Sequence, residues 1–134
     1  MPVARLIPFM VMIGAAALSN EPSLAQSMTP MRAEVRSVAD SFAVRVYPAN
    51  PYDHPIKVEI KVYDQDFALV PGARAAASPI MLSTGASRPI VVVIPFDGQT
   101  ERKVRICAES IPYPNSHSQI RAQICGKFFG RRLS

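Results

Sequence analysis

The sequence has no tryptophan and only two cysteines and two histidines among 134 residues. The histidines, His54 and His117, have no nearby glutamate or cysteine, so we expect no metal site. No glycine-rich phosphate-binding loop is present, and no segment keeps a helical period for more than a turn or two. These absences argue against the common enzyme classes and favour a binding or assembly protein that works without a cofactor.

The net charge is +5, from 15 basic and 10 acidic residues. The basic residues are scattered along predicted strands and are not interleaved with aromatic side chains, so we expect no nucleic-acid partner. Two interpretations stay open. The basic residues are solvated strand faces, or they meet an acidic or carboxylate-bearing partner.

The amino-terminal segment has the organisation of a secretory signal peptide. Arg5 precedes an apolar run over residues 6–18, and Ser23-Leu24-Ala25 forms a small-x-small cleavage site. The run is shorter than the roughly 20 residues of a membrane span, although an uncleaved anchor is the alternative. We therefore predict a signal peptide over residues 1–25. Residues 26–134 would follow as a single exported domain with no later membrane insertion.

The rest of the chain alternates apolar and polar residues with the period of two that is typical of half-buried strands. About eight short strands separated by proline- and glycine-containing turns predict an all-β fold, an Ig-like β-sandwich of seven to eight strands. A small barrel is the structural alternative. The apolar run at residues 90–94 predicts a strand buried on both sides. The predicted strands cover residues 31–38, 42–47, 56–63, 67–70, 80–82, 90–94, 104–108 and 120–127.

Both cysteines lie on the last two predicted strands. Cys107 and Cys125 share their parity with charged residues, so pairing these strands through their apolar faces puts both sulfurs on the opposite, wetter face. A cross-strand disulfide is expected there, and it would close a loop of about 18 residues. Two free thiols are the alternative, which export to an oxidising compartment disfavours.

The chain contains, in this order, the segments PMRAEV (30–35), VRVYPANP (44–51), SPIMLSTGA (78–86) and VRICAESIP (104–112), followed by the closing strand. In this order they resemble the N-terminal domain of the PapD-like periplasmic pilus-assembly chaperones. The resemblance covers about residues 28–130 and implies an Ig-like sandwich in the periplasm, reached through the Sec pathway. It implies pilin-like or other secreted protein subunits as partners.

In that family the last strand lends alternating apolar side chains to an incomplete pilin subunit, a process called donor-strand complementation. Ile120, Ala122 and Ile124 occupy the matching positions, so the resemblance implies that they are the donor residues. The alternative is that they are core residues of a closing strand.

The family also anchors the carboxyl terminus of the subunit with an arginine on the first strand and a lysine on the last. Arg32 matches the arginine by its place in PMRAEV. Direct alignment puts Cys125 at the position of the lysine, and Lys127 lies two residues on, on the same face. The resemblance therefore implies Arg32 and Lys127 as the carboxylate anchor.

Typical members of the family have a second Ig-like domain, and this chain stops where the linker to it would begin. One hypothesis is a compact or partial chaperone, including the case of a homodimer in which each copy supplies the wall that the other lacks. A second is a stand-alone periplasmic or cell-surface Ig-like interaction module. A third, a fibre subunit, is disfavoured by the strong closing strand. An enzyme is the least favoured.

Overall fold

The computed structural model describes residues 27–111 and 122–133. The predicted signal peptide, His117 and Ile120 lie outside these residues. Within them the chain forms nine strands, and no helix is present that is long and apolar enough to cross a membrane. The strands are β1 (Ser27–Thr29), β2 (Arg32–Ser37), β3 (Ser41–Ala49), β4 (Ile56–Tyr63), β5 (Arg74–Ala75), β6 (Ile80–Leu82), β7 (Ile90–Pro95), β8 (Glu101–Ile111) and β9 (Gln123–Arg132).

The strands form two sheets that pack as a sandwich, which confirms the predicted fold class. One sheet has the order β1-β3-β7-β5 and the other the order β2-β9-β8-β4-β6. The chain changes sheets between its first two strands, because β1 pairs antiparallel with β3 whereas β2 pairs parallel with β9. This crossing places the start of β2 beside the middle of β9, which defines the site described below.

The core lies between the two sheets and follows the alternation of the sequence. In β3 and β4 every second side chain is buried, as at Val46 and Val58, which are fully enclosed. Phe42 and Phe96 pack with their ring centroids 5.0 Å apart. Burying a side chain of this size contributes about 1.5 to 3 kcal/mol to folding.

The predicted strand at residues 67–70 is wrong, because a turn occupies this segment. The Asp64 carboxylate accepts hydrogen bonds from the backbone N–H groups of Asp66 and Ala68, at 2.8 and 2.9 Å. Phe67 takes a left-handed backbone conformation with φ of 59°, which no strand residue adopts. Only Leu69 bridges back to Tyr63, and the short strand β5 follows at Arg74–Ala75.

The expectation that residues 90–94 are buried on both sides is also wrong. Ile90, Val92 and Ile94 are buried, whereas Val91 and Val93 are half-buried. In a sandwich of two layers, only the inner face of each sheet is covered by the other sheet.

Cys107 and Cys125 are directly opposed on β8 and β9 and form the predicted disulfide. It lies on the outer face of the five-stranded sheet, opposite the core. Cys107 is nevertheless fully buried, so the expectation of a wet face is wrong at this position. The cause is its place on the central strand of the sheet, between its register partners Lys61 and Cys125.

Candidate functional site

The two halves of β9 have different neighbours. From Lys127 onward, β9 lies between β8 on one side and β2 on the other. Residues 123–126 pair with β8 alone, because β2 begins at Arg32, opposite Lys127. The first half of β9 is therefore an open edge in the described part of the sandwich.

The backbone groups at this edge follow from the antiparallel ladder. Ser110 donates its N–H to the carbonyl of Ala122 at 2.8 Å, so the even-numbered residues of β9 bond to β8. The odd-numbered residues face the other way, and Lys127 accordingly donates its N–H to the carbonyl of Met31 at 2.9 Å. The N–H and C=O groups of Gln123 and Cys125 point to the same side. Within residues 27–111 and 122–133 no backbone group pairs with them there. Exposed groups of this kind are a template for an added strand.

Two of the three predicted donor residues lie at this edge, and Ile120 lies outside the described residues. Ala122 and Ile124 are both half-buried, and Ile124 packs against the hydrophobic core. They share the inward-facing side of the strand with Phe128, which is 2% exposed and belongs to the core. The alternation predicted from the sequence is therefore correct, while the donor role stays a prediction.

Gly126 separates the open half of β9 from the closed half. A Cβ atom at this position would lie 2.7 Å from the ring of Phe128 and 2.9 Å from the carbonyl oxygen of Met31. The absence of a side chain thus lets the Phe128 ring and the chain before β2 approach β9 closely. Both contacts lie just where the open edge ends.

Three cations form a row on the outer face at the same place. Arg32 is the register partner of Lys127, and Lys127 is the register partner of Arg105 on its other side. Directly opposed like charges are destabilising. No acidic side chain among the described residues forms an ion pair with any of the three. The row is therefore suited to an anion supplied from outside.

Nearby Arg131 provides a contrast. Its guanidinium lies 3.2 Å from the carboxylate of Glu34 and 3.8 Å from that of Glu101. The same sheet face thus neutralises Arg131 with its own acids and leaves the Arg32–Lys127–Arg105 row without one.

A cavity of about 360 Å³ opens beside the row. Four cations and one acid line it, a balance of 4 − 1 = +3, and the acid, Glu34, is already paired with Arg131. Aromatic and amide groups complete the wall. The lining includes Arg32, Lys103, Arg105, Lys127, Gln65 and Phe129.

Arg105 was not among the residues singled out from the sequence. Its position could have been found from the predicted disulfide, because residues that oppose each other in an antiparallel pair have a constant sum of numbers. The sum for Cys107 and Cys125 is 107 + 125 = 232, and Arg105 and Lys127 give 105 + 127 = 232.

The Arg105 side chain is held by an unusual neighbour. Its guanidinium carbon lies 4.5 Å from the ring centroid of Phe67, the left-handed residue of the turn after β4. Phe67 is 51% exposed. The Nε atom of Arg105 is buried and has no hydrogen-bond partner in the described structure. Stacking on an aromatic face attracts a guanidinium without using its hydrogen-bond donors.

A buried carboxylate, Glu109, lies on the same outer face near the open edge. It accepts hydrogen bonds from the Tyr63 hydroxyl at 2.9 Å and the Gln123 amide at 2.7 Å, and Lys61 lies 3.4 Å away. Burial by itself would raise the pKa of Glu109, but these hydrogen bonds and the charge of Lys61 outweigh it and lower that pKa. Burial, together with the hydrogen bond to Glu109 and the charges of Glu109 and Glu59, raises the pKa of Tyr63.

The described residues contain no group of three or more histidine, cysteine or acidic side chains that could hold a metal ion. His54 stacks on Tyr52, with the ring centroids 5.4 Å apart, in the turn before β4. The groups on this face that are suited to binding are therefore the backbone groups of the open strand edge and the cluster of cations.

No family model matches the sequence, and no curated protein matches it. Solved structures do match the fold. The Escherichia coli chaperone DraB superposes with a TM-score of 0.66 at 20% identity, covering 81% of this chain and 55% of that one. A structure of the Salmonella enterica SafA pilin in complex with the SafB chaperone matches with a TM-score of 0.67 at 14% identity, covering 82% and 55%. A PapD-like domain of human CEP192 matches with a TM-score of 0.61 at 11% identity, covering 100% and 97%.

The fold is PapD-like. The resemblance drawn from the sequence is thereby confirmed at the level of the fold. The chain spans about half the length of the chaperone chains that it matches. The matched proteins are chaperones and a PapD-like domain.

Proposed function

We propose that this protein is a periplasmic, chaperone-like protein that binds pilin-like subunits by strand addition along residues 123–126. One observation carries the proposal. The open edge of β9 ends at the register pair Arg32 and Lys127, two cations with no acidic partner among the described residues. An open edge supplies the hydrogen bonds for an added strand, and the cations supply a place for its end.

The direction of the added strand follows from the position of β2. Since β2 runs parallel to β9 and starts at Arg32, a strand added in parallel beside residues 123–126 would run towards Arg32. Its carboxyl terminus would then meet the cations. An antiparallel strand would bring a positively charged amino terminus to the same place, where the cations repel it. The charge pattern therefore favours a parallel strand that ends in a free carboxylate.

Other features support this proposal. The predicted signal peptide at residues 1–25 and the Cys107–Cys125 disulfide fit an exported protein in an oxidising compartment. One of the matched structures holds a pilin in complex with a chaperone. Ala122 and Ile124, together with Ile120, would supply the alternating apolar side chains. We propose no catalytic role for any of these residues.

The test is capture of subunits from a periplasmic extract with matched pairs of variants. Gln123→Pro removes the outward N–H of the open edge and leaves the β8 ladder intact, while Gln123→Ala removes the same side chain and keeps the N–H. Arg32→Ala removes one cation of the proposed anchor. Arg45→Ala, on the outer face of the other sheet, removes an exposed arginine elsewhere.

We expect wild type, Gln123→Ala and Arg45→Ala to recover a fibre subunit identified by mass spectrometry. Gln123→Pro and Arg32→Ala should lose most of it. Equal capture by Gln123→Pro and Gln123→Ala, both shown to be folded, would contradict strand addition at this edge.

A second candidate function is a stand-alone interaction module that uses the same edge for another protein. The match to a single PapD-like domain of CEP192 over almost the full length of both chains supports it. The same capture experiment separates the two candidates. A module of this kind would recover a protein that is not a fibre subunit. Gln123→Pro would lose that protein, and Gln123→Ala would keep it.

A further inference from the structure

We propose that the cavity beside the open edge selects a partner whose last residue is acidic. Arg32 and Lys127 would hold the terminal carboxylate, and Arg105 would hold the side-chain carboxylate of that residue. The inference rests on the proposed function, because it concerns the end of the strand added along β9.

The cavity carries more positive charge than a single carboxylate neutralises. A single carboxylate has two oxygens and is satisfied by a bidentate arginine or by two donors. The cavity offers Arg32, Lys103, Arg105 and Lys127, and its one acid, Glu34, is already paired with Arg131 at 3.2 Å. A ligand with one negative charge, placed between Arg32 and Lys127, would leave the directly opposed Lys127 and Arg105 without an anion between them, whereas a ligand with two negative charges would not.

The spacing of the three cations in the row suits two carboxylates. Neighbouring strands lie about 4.8 Å apart, and the cations occupy three adjacent strands at the same level. A carboxylate between Arg32 and Lys127 and another between Lys127 and Arg105 would therefore be about one strand spacing apart. The two carboxylates of one carboxyl-terminal aspartate or glutamate can bridge such a gap. The cavity of about 360 Å³ also leaves room for the side chain.

The surroundings of Arg105 hold its guanidinium in place for a ligand. Its Nε is buried and lacks a hydrogen-bond partner, and its guanidinium stacks on Phe67. The Asp64 carboxylate fastens the turn that carries Phe67, by accepting backbone hydrogen bonds from Asp66 and Ala68. The ring therefore acts as a platform that positions the guanidinium and leaves its terminal N–H groups for an anion.

The test uses the purified protein with its disulfide intact and small ligands that mimic a carboxyl-terminal residue. N-acetyl-aspartate carries both carboxylates, and N-acetyl-asparagine carries only the terminal one. Inorganic phosphate serves as a dianion that is not a peptide end. Each is titrated at one fixed ionic strength while the backbone amide shifts of Arg32, Arg105 and Lys127 are followed by NMR.

We expect N-acetyl-aspartate to bind roughly 5- to 10-fold more tightly than N-acetyl-asparagine, because it gains one charge-assisted contact. Arg105→Gln should abolish this preference, because it weakens the binding of N-acetyl-aspartate much more than that of N-acetyl-asparagine. Arg105→Lys should restore part of the preference, and Arg45→Gln, a matched loss of charge on the other sheet, should keep all of it.

The outcomes separate the inference from the proposed function. Equal binding of the two amino-acid ligands, with both dependent on Arg32 and Lys127, would overturn the acidic-residue preference and leave the carboxylate anchor standing. No amide shift with either ligand would contradict both. Tighter binding of phosphate than of N-acetyl-aspartate would overturn the inference in favour of an inorganic dianion site.

Discussion

The two halves of β9 differ in their neighbours and not in which of their residues face inward. The even-numbered positions face the core in both halves, Ile124 and Gly126 in the first and Phe128 and Gly130 in the second. In the second half the alternation seals the core through Phe128, because β2 covers the other edge. In the first half β2 is absent and Ile124 is only half-buried. The same pattern therefore builds a core where a partner strand is present and leaves a docking edge where it is not.

The difference between the halves should be largest in their contributions to stability. Phe128→Ala removes a ring that is 2% exposed and should lower the free energy of unfolding by about 3 to 5 kcal/mol. Ile124→Ala removes a half-buried side chain and should cost roughly 1 to 2 kcal/mol. Urea unfolding of both variants measures the two losses of unfolding free energy. An equal loss would mean that the open half belongs to the core.

The disulfide fastens the open half of β9 to β8. Replacing Cys107 and Cys125 together by alanine should lower the free energy of unfolding by roughly 3 kcal/mol, since the bridge closes a loop with a sequence separation of 18 residues. We expect hydrogen exchange to accelerate more in residues 123–126 than in residues 127–132, which β2 also holds. Wild-type protein under reducing conditions is the control. Uniform acceleration along β9 would show that the two halves do not behave separately.

Glu109 ties the same half to β8 and β4 through Gln123, Tyr63 and Lys61. Its pKa is lowered in the folded protein, so its stabilising effect is present above the pKa of the unfolded chain and is lost as the pH falls through the folded pKa. Glu109→Gln should cost roughly 1 to 2 kcal/mol at neutral pH. The free energy of unfolding, measured from about pH 6 to pH 3, should therefore fall less steeply for Glu109→Gln than for wild type.

The matched control for this titration is Glu101→Gln, because the Glu101 side chain is 58% exposed and its ion pair to Arg131 measures 3.8 Å. We expect it to change the unfolding free energy by less than about 1 kcal/mol. If the free energy of unfolding falls with the same slope in acid for wild type and Glu109→Gln, the stabilising role of Glu109 is contradicted.

The smallest effect on stability is expected at Phe67. Phe67→Gly removes the stacking on Arg105 but relieves a left-handed backbone, so the unfolding free energy should change by less than about 1 kcal/mol. The preference for N-acetyl-aspartate should nevertheless fall by about 2- to 3-fold, because Arg105 is no longer positioned. Leu69→Ala, on the same exposed turn, should leave that preference intact. If Phe67→Gly keeps the full preference for N-acetyl-aspartate, the turn does not position Arg105 for the ligand.

The sequence predicts most of the sandwich because its strands are half-buried and therefore alternate. β3 and β4 follow this pattern closely. The segment at 67–70 misleads because the side chain of Asp64 captures local backbone N–H groups and makes a turn out of residues with strand propensity. β1 was missed because three residues show too little alternation to be recognised.

The site was predictable only in part. The resemblance pointed to Arg32 and Lys127, but their parallel pairing joins residues 127 − 32 = 95 positions apart, which no local pattern encodes. The antiparallel pairing of Arg105 with Lys127 follows from the disulfide register and was within reach. The Phe67 platform was not within reach, since it depends on a turn whose sequence predicts a strand.

The most direct test is amide hydrogen exchange along β9, with and without the captured subunit. In the free protein the amides of Gln123 and Cys125 should exchange fast, while those of Ile124, Gly126 and Lys127 are protected by β8 or by the Met31 carbonyl. Binding should slow Gln123 and Cys125 and leave Lys127 unchanged. If Gln123 and Cys125 are as protected as Lys127 before any partner is added, the edge is closed and the proposed strand addition is wrong.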